Sequence, residues 1–125
     1  MSIDTITETL DRLKKVDGIS TILVVDRDGL LIAKGSDQET SSSENLASLF
    51  ARAIHTFERS ALTTQRREDD IIKQLIIERT GEERMLMFVT EAFILAVVTS
   101  GPVNVGLIRM EMRDTIGQLA PLLGF

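Results

Sequence analysis

Three short runs of consecutive apolar residues constrain this chain more than any other feature: Ile22-Leu23-Val24-Val25, Leu75-Ile76-Ile77 and Ile94 to Val98. Each is too short for a good helix, and each contains β-branched residues, which favour strands. A strand with one wet face alternates apolar and polar side chains. Unbroken apolar runs imply burial on both faces, and therefore a sheet with helices on each side.

The rest of the chain supplies those helices. Ile3, Ile6, Leu10 and Leu13 fall on one helical face, and Gly18 stops that helix. Ile19 to Val25 and Leu30 to Lys34 are predicted strands. Asp26-Arg27-Asp28-Gly29 joins them as a tight turn, with Gly29 suited to positive φ. Ser41 and Glu44 have capping-box spacing, so a second helix is predicted from about Ser42 to about Thr63. Ile71 to Arg79, Glu83 to Thr90 and Ala92 to Thr99 read as three more strands, with a turn at Thr80-Gly81-Glu82. Gly101-Pro102 can open a last helix, along which Val105, Ile108, Met112, Ile116 and Leu119 recur at helical spacing. Pro121 is expected to end that helix or distort its last turn. The fold class is α/β of the α+β type, in the order α-β-β-α-β-β-β-α. Hairpin links make the sheet antiparallel. At 125 residues, a single domain spanning 1–125 is expected.

Composition narrows function. The net charge of -5 argues against nucleic acid or an anionic membrane surface as the main partner. The chain has no Cys and one His, which leaves no thiolate or zinc cluster. No secretory signal or transmembrane stretch is read, and a cytoplasmic location is expected. Asp26 and Asp28 lack the further ligands and spacing of a calcium loop. Lys34-Gly35-Ser36 has the wrong order for a phosphate loop, and no Gly-x-Ser-x-Gly elbow is present. No catalytic, cofactor or metal residues are assigned. Arg66 or Arg67 is a candidate arginine finger toward a nucleotide-binding partner. Glu68-Asp69-Asp70 reads as a solvated loop.

The second helix is the most informative segment. Leu46, Leu49, Phe50, Ala53, Ile54, Phe57 and Ala61 cover one broad side, extended by Ala47 and Ala51. Packing on one sheet needs only a stripe of about 100° or somewhat more. The surplus, rich in small Ala, is read as a self-association surface. The alternative is a helix deeply buried in a monomer. The opposite side carries Ser48, Arg52, His55 and Arg59, read either as a patch for an acidic partner or as an ordinary solvated face.

In order and spacing these residues resemble the Roadblock (dynein light chain) domain family, especially its prokaryotic small-GTPase regulators. The resemblance is carried by Glu8 to Leu13, Gly18-Ile19, Ile22 to Ala33, Leu46 to Leu49, Ala92 to Val98 and Asn104 to Arg109. It implies a five-stranded antiparallel sheet with one helix on one face and two on the other. It also implies homodimers joined through the second helices and third strands. That places Ala47, Phe50, Ala51, Ile54, Ile71, Lys73, Leu75 and Ile77 at the dimer interface. Binding of a Ras-like small GTPase follows as an expectation, with Ser48, Arg52, His55 and Arg59 as its contact residues. The other readings are a structural adaptor or light chain of a motor or tethering complex, and a sensor domain enclosing a small ligand.

Overall fold

The computed structural model describes residues 3–35, 40–59 and 73–124. The elements follow the expected order: α1 (Ile3–Lys14), β1 (Ile19–Asp26), β2 (Leu31–Lys34), α2 (Thr40–Arg59), β3 (Gln74–Arg79), β4 (Glu83–Val89), β5 (Phe93–Thr99) and α3 (Val105–Leu122). The strands form one antiparallel sheet, ordered β2-β1-β5-β4-β3. The central strands are the consecutive apolar runs. Every residue of β5 is buried, as are Ile22 to Val25 of β1.

Side chains alternate between two cores. Ile22, Val24, Leu86, Phe88, Phe93, Leu95 and Val97 face α1 and α3, meeting Ile6, Leu10, Leu13, Ile108, Met112 and Leu119. Leu23, Val25, Met87, Val89, Ile94, Ala96 and Val98 face α2, meeting Ala47, Phe50, Ala51 and Ile54. Two helices therefore cover one face and one helix covers the other.

The turns behave as their residues require. Gly29 has φ +97°, and the Asp26 side chain accepts from the Asp28 and Leu30 N–H groups at 2.9 Å each. Such a local carboxylate bond stabilises a tight turn. Gly18, at φ +92°, lies where a Cβ would come within 2.2 Å of Val103 Cγ1.

Two helix starts differ from expectation. α2 already begins at Thr40, before the Ser41 expected to cap it. Gly101-Pro102 does not open α3. The helix begins at Val105, and the Asn104 side chain caps it by accepting from the Leu107 N–H at 3.0 Å. Pro121 sits inside the last turn, and the helix stops one residue later at Leu122. A proline there removes only one N–H near an end whose carbonyls already need other partners.

Candidate functional site: the α2 face

One helix cannot cover this sheet. Strands lie about 4.8 Å apart, so a five-stranded sheet is roughly 20 Å across. A helix with its side chains is about 10 Å wide. On the opposite face α1 and α3 share the task. On this face α2 packs toward the β1 and β2 side. Leu75, Ile77 and Met85 of β3 and β4 point to the same face and remain only half-buried.

The seating of α2 explains this offset. Ser43, Ala47, Phe50, Ala51, Ile54 and Glu58 recur every three to four residues and are all buried. The flank toward the β1–β2 hairpin is polar. His55 Nε2 lies 2.6 Å from the Arg27 carbonyl, and Ser48 and Ala51 pack beside Gly29. The Arg27 guanidinium pairs with the Glu58 carboxylate, which is 6% exposed. His55 Nδ1 lies 3.8 Å from the same carboxylate. A buried carboxylate is tolerated only with such partners.

The other flank of α2 is apolar and open. Leu46 and Ala53 are half-buried, Leu49 is 53% exposed and Phe57 is 43% exposed. Together with Leu75, Ile77 and Met85 they make an apolar surface beside the sheet's β3 side.

The expected site residues fall into distinct places. Ala47, Phe50, Ala51 and Ile54, expected at a dimer interface, are buried in the chain's own core and present no surface. The small alanines let α2 lie close to the sheet and to the turn at Gly29. Leu75 and Ile77 are half-buried on the α2 face, and Lys73 is exposed beside them. Ile71, Ala61, Arg66, Arg67 and Glu68-Asp69-Asp70 lie outside the described residues. Of the four expected partner contacts, Ser48, Arg52 and Arg59 are exposed, whereas His55 is engaged with the hairpin. Arg27 and Glu58 escaped sequence reasoning. The one signal was an acidic residue four positions after Ile54, on the helix's apolar side.

Among the described residues, no group of His, Cys, Asp and Glu side chains is placed to hold a metal ion. No helix there is long and apolar enough to cross a membrane.

The sequence model of the Roadblock/LC7 domain matches residues 5–99. The chain belongs to the Roadblock/LC7 family. Among curated proteins, none matches it. Solved structures share its Roadblock/LC7 fold. Myxococcus xanthus MglB is similar at a TM-score of 0.83 over 98% of each chain, with 19% identity. A Roadblock/LC7 domain from Streptomyces avermitilis gives 0.79 over 100% of each chain, with 17% identity. The gliding protein MglB from Thermus thermophilus gives 0.75 over 94% of this chain and 87% of its own, with 17% identity. At these identities the likeness establishes the fold. The Roadblock/LC7 match ends at Thr99, so α3 lies beyond it, packed on the same sheet face as α1.

Proposed function

We propose that this chain is a non-catalytic interaction module that pairs with a second copy of itself and, as a pair, binds and regulates a Ras-like small GTPase. The observation that carries the pairing is that, among the described residues, α2 alone covers a sheet face wide enough for two helices. A second copy supplies a second α2, which would cover Leu49, Ala53 and Phe57 along with the half-buried side chains of β3 and β4.

The sheet edges support the same reading. β2 is four residues long, and its register with β1 shifts between Val24 and Val25. Short, irregular edges resist pairing with another chain. β3 has six residues and an unbroken register with β4. It is the edge fit to accept another strand.

The GTPase half of the proposal rests on the resemblance to the family's prokaryotic small-GTPase regulators. The exposed basic pair Arg52 and Arg59 on α2 supports it, being a local positive site on an acidic chain. The test is a pull-down with the Ras-like GTPases of the same genome, followed by assays of GTP hydrolysis and nucleotide exchange. The proposal expects binding and a changed rate. Binding with unchanged turnover supports a structural adaptor instead. Failure to bind any of them removes the GTPase reading.

A further inference from the structure

The sheet face away from α2, and so away from the self-pairing surface proposed above, carries a strip of arginines. Opposed residues of an antiparallel pair point to the same face. Gln74, Ile76 and Glu78 of β3 therefore share the face of their β4 partners Phe88, Leu86 and Arg84. Leu86 and Phe88 belong to the core under α1 and α3. Ile76 is 42% exposed although Leu86 opposite it is fully buried, so the helical cover ends between β4 and β3.

Three arginines lie around Ile76. Arg109 of α3 donates from Nη2 to Gln74 Oε1 at 2.9 Å. Arg113, one turn further along α3, sets its guanidinium 6.0 Å from the centroid of the Phe88 ring. Arg84 donates from Nη2 to Glu78 Oε1 at 3.0 Å. Gln74 and Glu78 stand on either side of Ile76 on the same face, so the contacts of Arg109 and Arg84 bracket it. Met110 is 53% exposed on α3 and lies about 60° around the helix from Arg113.

Opposing charge is scarce there. Glu78 is the only acidic residue of β3, and Glu83 of β4 pairs with Arg79 on the other face. Glu111 and Asp114 fall about 100° or more around α3 from both Arg109 and Arg113. Among the described residues neither of these two arginines meets a carboxylate. Arg109 Nε and Arg84 Nη1 are buried without a hydrogen-bond acceptor. A guanidinium is a planar fork of donors that matches a carboxylate in two bonds. Arg and Met are also enriched at protein interfaces. The chain as a whole carries a net charge of -5, which disfavours a nucleic acid on the same strip.

We infer that Arg84, Arg109 and Arg113, around Ile76 and Met110, form a docking surface for an acidic segment of a partner protein in which carboxylates alternate with apolar side chains. The probe is a fluorescein-labelled peptide of alternating glutamate and leucine, titrated with the intact chain and read by fluorescence anisotropy. A peptide with lysine in place of glutamate is the control. The glutamate peptide should bind roughly tenfold or more tightly than the control. Arg113→Gln should weaken it by roughly threefold or more, and Arg109→Gln/Arg113→Gln by roughly tenfold or more. Met110→Ser should weaken it as well. Arg52→Gln/Arg59→Gln, on α2, should leave binding within about twofold of the unmodified chain. Circular dichroism checks folding. Arg113 and Met110 are exposed, so their single variants decide the matter if the Arg109 variant unfolds. Equal losses from the α2 pair would show unspecific attraction to positive charge and overturn the site. So would α3 variants that bind as the unmodified chain does, or a glutamate peptide that binds no better than the control. Displacement of the probe by a thymidine oligonucleotide in preference to unlabelled peptide would assign the strip to a nucleic acid and overturn the peptide reading.

Discussion

The carbonyl oxygen of Arg27, in the turn of the β1–β2 hairpin, lies 2.6 Å from Nε2 of His55 on α2. A carbonyl only accepts, so His55 Nε2 carries the proton. One residue-pair contact thus ties the hairpin to the helix. The Arg27–Glu58 pair ties them again, closer to the helix end. Removing either partner should separate the two effects. His55→Ala should lower stability by about 1 kcal/mol, the net value of a partly buried hydrogen bond. Glu58→Ala should cost about 3 kcal/mol, because it strands a largely buried guanidinium. Urea unfolding of the two variants checks the order. Equal losses would show that Glu58 adds nothing beyond a surface ion pair.

Gly18 should not tolerate a side chain. Its φ of +92° disfavours one, and an alanine Cβ would collide with Val103, whose branched side chain has little freedom to move. Gly18→Ala should cost about 3 kcal/mol. It should also loosen the Ser100 N–H to Gly18 carbonyl bond, 2.9 Å long, which closes the end of the sheet below α3. Thermal unfolding measures the first effect and amide exchange at Ser100 the second.

Asn104 should behave as a helix cap. Asn104→Ala removes the acceptor for the Leu107 N–H and should cost about 1 kcal/mol, while Asn104→Asp should cost much less. A loss from Asn104→Asp equal to that from alanine would contradict the assignment.

Strands, turns and element order were legible because they depend on local chemistry. The turn at Asp26 to Gly29 is written in one carboxylate and one glycine. The runs in β1 and β5 are apolar on both faces because both faces are covered. The face of α2 was harder to read. Its apolar arc spans both Ile54, which is buried, and Leu49, which is exposed, and helical spacing alone does not say which part meets the sheet. The answer depends on where α2 sits across the strands. That is settled by Arg27, Glu58 and His55, whose contacts join segments about thirty residues apart. The small residues Ala47 and Ala51 suggested a neighbouring helix. Their actual neighbours are the sheet and Gly29.

Core and surface apolar residues of α2 should therefore separate cleanly. Ile54→Ala should destabilise the chain by about 2–4 kcal/mol, since Ile54 is fully buried. Leu49→Ala should change the stability of a single chain by under about 0.5 kcal/mol. It should instead weaken self-association. Unfolding at two protein concentrations tells the effects apart, because only linked association makes the midpoint concentration-dependent.

Sedimentation equilibrium of the intact chain at micromolar concentration tests the central claim most directly, run beside a Leu49→Ser/Phe57→Ser double variant. The α2 face predicts twice the chain mass for the unmodified protein and a single chain mass for the folded variant. A single chain mass for the unmodified protein would contradict it.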